Sequence, residues 1–89
     1  MRAIVTVIGK DRVGIIADVT ALLAQYGVNV LDISQTVLQE YFTMIMLVDA
    51  AQCTGPFADL ARTLDEAGTQ RGLQIRAQRE HIFNAMHRI

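Results

Sequence analysis

Positions 2–8 are almost all apolar or β-branched. Ala3, Val5 and Val7 alternate with Ile4, Thr6 and Ile8, so a strand here is apolar on both faces, as a central strand is. Gly9, Lys10, Asp11 and Arg12 break the run. Val13, Ile16, Val19, Thr20, Leu23 and Tyr26 then recur at helical spacing. Asp11 reads as the N-cap of that helix, because its carboxylate can accept bonds from the free N–H groups of the first turn. Gly27 reads as the left-handed residue that ends it. Residues 28–38 read as a strand of mixed faces. Val30, Asp32, Ser34 and Thr36 share one side, and Asn29, Leu31, Ile33, Gln35 and Val37 the other. Such polar content suits an edge strand or a functional one. Gln39 and Glu40 make the turn into residues 41–48, which are again apolar on both faces. Residues 52–56 read as a loop, and Phe57, Leu60, Ala61, Leu64 and Ala67 as the buried face of a second helix. Leu73, Ile75 and Ala77 alternate with Gln74, Arg76 and Gln78, the pattern of a half-exposed strand.

An internal echo supports this parsing. Gln25-Tyr26-Gly27-Val28-Asn29-Val30 is similar to Gln70-Arg71-Gly72-Leu73-Gln74-Ile75, each marking a helix that ends at Gly and a strand that starts at once. The order is βαβ twice, joined by a hairpin. That predicts an α+β, ferredoxin-like sandwich: a four-stranded antiparallel sheet in order 4-1-3-2 with two helices on one face. The topology puts the two strands that are apolar on both faces at the centre and the two polar ones at the edges. It leaves the second sheet face uncovered. Residues 1–79 form the domain, and residues 80–89 an amphipathic helical tail with Ile82, Ala85, Met86 and Ile89 on one stripe and Phe83 beside it. Either this tail or another chain is expected to cover that face, which makes a homodimer or larger assembly the expected state.

Composition narrows the function. The chain has 89 residues, 52% hydrophobic and 19% charged, with a net charge of −1. One domain of this size is only marginally stable alone. The charge gives no reason to attract nucleic acid or an anionic membrane. Tyr41 and Phe42 are adjacent and point to opposite faces, so they make no stacking platform for RNA. The single cysteine, Cys53, cannot build an internal disulfide and fits a reducing compartment. The apolar start is broken by Thr6 and stopped by Gly9, Lys10 and Asp11, unlike a signal peptide. No run is long enough to span a membrane. A cytoplasmic protein is expected.

Catalytic constellations are scarce. Residues 9–14 lack the Lys-Ser/Thr pair of a phosphate-binding P-loop. His81 and His87, six apart, fall on different faces of one helix, and Cys53 has no neighbour at metal-ligand spacing. Ser34, Thr36 and Thr43 read as strand residues, and Asp59, Asp65 and Glu66 as the solvent face of the second helix. No enzyme activity, metal or cofactor is expected. Asp32 has two readings of equal weight, a solvent-facing edge position or a ligand contact.

The loop after the first strand is the most informative segment. It joins the basic residues Lys10 and Arg12 to a helix N-terminus with free N–H groups, and it places Gly14 in the first helical turn. A glycine inside a helix costs about 1 kcal/mol relative to Ala. Close approach of a ligand, or of another backbone such as that at Asn29, would justify it. Free N–H groups and the helix dipole suit a carboxylate or phosphate.

These residues carry a resemblance. Residues 8–17, Ile-Gly-Lys-Asp-Arg-Val-Gly-Ile-Ile-Ala, followed by residues 26–33, Tyr-Gly-Val-Asn-Val-Leu-Asp-Ile, resemble the ACT domain, a small amino-acid-sensing module often attached to metabolic enzymes. The likeness covers residues 2–77. The tail at residues 79–89 and Tyr41-Phe42-Thr43-Met44 are similar to a subgroup of free-standing ACT proteins of bacteria and archaea. The resemblance implies a regulatory protein that pairs side by side through edge strands or helices. It implies a small ligand, an amino acid, at the subunit interface between the loop after strand 1 and the start of strand 2. Carried over by position, that site comprises Asp11, Arg12, Val13, Gly14 and Ile15, with Asn29, Val30, Leu31 and Asp32. Backbone N–H groups near Gly14 and Ile15 would hold the carboxylate, the Asn29 amide would bridge loop and ligand, and Asp32 would meet the ammonium. A ligand-free oligomerisation or adaptor module that regulates a partner by contact is the alternative. An acyl-phosphate enzyme using Arg12 and Asn29 ranks below both, because the acylphosphatase loop signature is absent.

Overall fold

Seven elements follow one another: β1 (Arg2–Lys10), α1 (Ile15–Gln25), β2 (Asn29–Leu38), β3 (Tyr41–Asp49), α2 (Phe57–Arg71), β4 (Gln74–Arg79) and α3 (Glu80–Met86). The computed structural model describes residues 1–10 and 14–86, apart from the side chains of Phe83 and Met86. Asp11, Arg12 and Val13 lie outside the described residues, as do His87, Arg88 and Ile89.

The four strands form one sheet in the order β2-β3-β1-β4, with every neighbouring pair antiparallel. This is the ferredoxin-like arrangement expected from the pattern, read from its other edge. Ala3, Val5 and Val7 of β1 and Phe42, Met44, Met46 and Val48 of β3 are buried beneath the helices. They meet Ile15, Val19 and Leu23 of α1 and Leu60 and Leu64 of α2. Burying each large side chain of this kind stabilises the fold by about 1.5–3 kcal/mol. The Tyr26 hydroxyl lies 2.8 Å from the Thr63 hydroxyl, and Arg71 Nε donates to Asp18 Oδ2 at 3.2 Å, so two polar links join α1 to α2.

The turns follow the predicted chemistry. Gly27 ends α1 at φ 72, and a Cβ there would lie 2.9 Å from the Gln52 carbonyl oxygen. Both the left-handed backbone and the close approach therefore require glycine. Gly72 ends α2 at φ 71. Leu38 pairs with Tyr41 across Gln39 and Glu40, and Gln39 takes φ 55 to close that two-residue turn.

Three expectations fail. First, α1 begins at Ile15, with Gly14 as its N-cap at φ 87 and ψ 1. Gly14, not Asp11, therefore holds the N-cap position, and it stands before the first turn rather than within it; Asp11 itself lies outside the described residues. Second, β2 carries a bulge between Val30 and Asp32: Val30 pairs with Val48, but Asp32 pairs with Leu47. The extra residue, Leu31, reverses the alternation. Val30 thus shares the helix-covered face with Ile33, Gln35 and Val37, while Asp32, Ser34 and Thr36 face the open side. Third, of the two coverings expected for the open face, α3 leaves the middle of that face uncovered. It packs at the Arg2 end of the sheet, where Arg2 Nε meets Glu80 Oε2 at 2.7 Å. At mid-sheet and beyond, Ile45 and Ile8 stay 42% and 44% exposed.

Candidate functional site

Gly14 sets the geometry at the head of α1. Its φ of 87 is one that residues with a Cβ rarely adopt, and among the described residues nothing lies within 4 Å of where a Cβ would sit. The glycine serves the backbone turn, not a tight contact with any of the described residues. The Asp18 N–H donates to the Gly14 carbonyl at 2.9 Å, the first helical bond. The N–H groups of Ile15, Ile16 and Ala17 precede it and have no acceptor within the helix. Together with the positive end of the helix dipole they make this surface electropositive.

That surface opens onto a groove of about 330 Å³. Its walls are Gly14, Ile15, Ile16 and Ala17 on one side and Gln35, Val37 and Phe42 on the other. Gln35 supplies an amide, while Val37 and Phe42 supply an apolar floor. Neither Gln35 nor Val37 stands out in the sequence, because both sit in an ordinary strand pattern. The hairpin register could have found them. β1 and β2 both run antiparallel to β3, so the end of β2 must lie at the same sheet edge as the end of β1.

The same register separates the two halves of the sequence-derived site. Lys10 and Leu38 both pair with Tyr41, whereas Arg2 and Asn29 both pair with Asp49. Eight residue steps along β1 separate these levels, about 27 Å. Within one chain Gly14 and Ile15 are therefore at one end of the sheet and Asn29, Val30, Leu31 and Asp32 at the other. Packing of Gly14 at the head of α1 against Asn29 in the same chain is excluded. Asn29 is exposed, Val30 half-buried, and Leu31 48% exposed at the bulge. Asp32 is exposed on the open face, away from the groove, and its Oδ1 accepts the Ile33 N–H at 2.9 Å.

Other chemistry is sparse among the described residues. Cys53 is a half-buried free thiol, His81 is exposed, and no three His, Cys, Asp or Glu side chains gather at metal-binding distance. A larger depression, about 650 Å³, runs along β4. It wraps that edge from Thr6 and Ile45 on the open face to Asp65 and Thr69 on α2, so it is a bent surface and not an enclosed site. No helix among the described residues is long and apolar enough to cross a membrane.

Comparison with known proteins agrees with this architecture. The family model for the ACT domain matches residues 2–78. A UPF0237 protein of Clostridium acetobutylicum is 54% identical over 89 residues, covering 100% of both chains. The structure of an ACT domain protein from Streptococcus pneumoniae superposes with a TM-score of 0.81 at 42% identity, over 98% of each chain. The ligand-free regulatory subunit of aspartate kinase from Thermus thermophilus superposes with a TM-score of 0.65 at 26% identity, over 86% of this chain and 50% of that one.

Proposed function

This chain belongs to the ACT domain family of regulatory modules, and from that premise we propose that it acts as a homodimer binding a free amino acid at a site shared by two copies. The observation that carries the reading is the head of α1. After a left-handed Gly14, three N–H groups with no acceptor inside the helix border a groove edged by Gln35 and Val37. A carboxylate accepts such N–H groups well, and the dipole favours its charge. The groove's partly apolar floor suits a small aliphatic side chain.

The second copy supplies the other half. β2 is an edge strand whose outer backbone groups have no neighbour in the sheet. Antiparallel pairing of two β2 strands lays the start of one beside the end of the other. That brings Asn29, Val30 and Leu31 of a second copy to the Gly14 groove that they cannot reach in their own chain. The Asn29 amide then has donor and acceptor atoms for the amino acid's polar groups. Lys10, the last residue of β1, adds charge near the same loop; Asp11 and Arg12 follow it in the sequence and lie outside the described residues. Asp32 faces the other side of the sheet and is left out of this site.

Calorimetry and thermal-shift measurements with each of the twenty amino acids test the proposal. At least one is expected to raise the melting temperature at millimolar concentration, and its carboxamide to bind at least tenfold more weakly. Folded protein that responds to none of the twenty would leave the adaptor reading in its place.

A further inference from the structure

We propose that the open face of the sheet docks the open face of a second copy of this chain, the two sheets stacking so that Asp32 of each lies against Arg76 of the other. This goes beyond the ligand-binding reading and does not rest on it, since it uses the opposite side of the sheet.

The face is apolar at its centre and polar at its flanks. The register puts Ile4, Thr6 and Ile8 of β1 beside Leu47, Ile45 and Thr43 of β3, all turned away from the helices. Ile8 and Ile45 are 44% and 42% exposed, and Tyr41 and Leu38 extend the patch at 51% and 70%. Such a contiguous patch on a monomer marks a contact surface. The molecule is a slab of 35 × 34 × 20 Å with this sheet as one broad face. Four strands of six to ten residues cover roughly 30 × 19 Å. Stacking two of them therefore buries about 1,100 Å² counted over both copies, which reaches the ~1,000 Å² expected of a specific interface.

Charge then selects the occupant and its orientation. The edge strand β2 contributes Asp32 and the opposite edge strand β4 contributes Arg76, while the mid-face levels of β1 and β3 between them carry no charge. Rotating a second copy about an axis parallel to the strands lays β2 of each over β4 of the other. Asp32 shares its level with Leu47, Ile4 and Gln78, two residues along β4 from Arg76. That offset is about 7 Å, within reach of an arginine side chain across stacked sheets ~10 Å apart. The same rotation sets Ile45 of one copy over Thr6 of the other. Rotation about the crosswise axis would instead lay Arg76 on Arg76, so like charges exclude it. The surface is thus complementary to itself, as a two-fold contact must be.

Light scattering and sedimentation equilibrium on the full chain test this. The wild type is expected to self-associate, and Ile45→Glu to halve its mass at equal concentration while circular dichroism stays native. Ile45 sits on an inner strand facing away from the helices, so edge-to-edge pairing through β2 would not respond to it. Asp32→Arg and Arg76→Asp are each expected to weaken association at least about tenfold, and the double variant to restore it to within about threefold. If Ile45→Glu does not fold, this exposed charge-swap set decides the matter alone. A wild type that stays monomeric, a folded Ile45→Glu of unchanged mass, or a double variant no stronger than the singles overturns the proposal. Amino-acid thermal shifts on the same variants keep the two readings apart. Failure of ligand binding with an intact charge-swap rescue sinks the ligand site alone, and the converse sinks only the stacking.

Discussion

At the scale of single residues, glycine and aspartate set the turns. Gly14 has open space around it and a φ of 87, so Gly14→Ala suffers backbone strain alone. It is expected to cost about 1 kcal/mol in urea unfolding. Gly14→Asn should recover part of that loss, because asparagine tolerates the left-handed region. Gly27→Ala meets both the strain and the Gln52 carbonyl, and should cost clearly more. Asp49 ends β3, where its Oδ1 accepts the Ala51 N–H at 2.9 Å. That bond, opposed by slight desolvation and aided by the Met1 ammonium 3.5 Å away, holds its carboxyl below the ordinary range. The folded chain therefore favours the charged form. The stabilisation is present above the ordinary Asp value, about pH 4, and is lost as pH falls through the lowered one. Asp49→Asn is expected to flatten the acid side of a plot of melting temperature against pH, leaving the neutral-to-basic side unchanged in shape.

At the scale of elements, the helices are joined to each other by few polar links and to the sheet by apolar ones. The Tyr26–Thr63 hydroxyl pair ties the end of α1 to the middle of α2. Tyr26→Phe removes it and should cost roughly 1 kcal/mol in a chemical denaturation series. β1 and β3 are paired on both sides, whereas β2 is paired on one. Amide exchange should accordingly be slowest in β1 and β3. In β2 it should slow as protein concentration rises if that edge takes a second copy. The elements themselves were legible in the sequence, because periods of two and of three to four are local properties of the chain. The bulge was not. Counting alternate residues from Val30 assigns every later side chain of β2 to the wrong face, and only the pairing with β3 reveals that Leu31 is the extra residue. The start of α1 was misplaced for a related reason. Asp11 has the right chemistry for a cap, but the backbone turns into the helix at Gly14, three residues later.

At the scale of the whole molecule, one thin sandwich has two surfaces left to satisfy, the outer edge of β2 and the open face of the sheet. Both predict association, and association links stability to concentration. The melting temperature of the wild type is expected to rise with protein concentration across the micromolar range. A bound amino acid at a hundred times its dissociation constant should add about 2.7 kcal/mol to the unfolding free energy. The proposed cross-chain pairing would reunite the two halves of the sequence motif, which are far apart in one copy. Residues at the head of α1 and at the start of β2 sit about 27 Å from each other along the sheet, a distance that antiparallel pairing of two edges removes.

The order of elements, the central and edge strands, the glycines that end both helices and the family likeness were all determined by the sequence, since each depends on spacing or residue type along a short stretch. Tertiary pairing alone decided that Gln35 and Val37 border the Gly14 groove, that Asn29 lies at the far end of the sheet, and that Asp32 faces the open side. Those facts come from register, and register depends on which residues of distant strands meet. A single inserted residue changes it without changing the local pattern on either side.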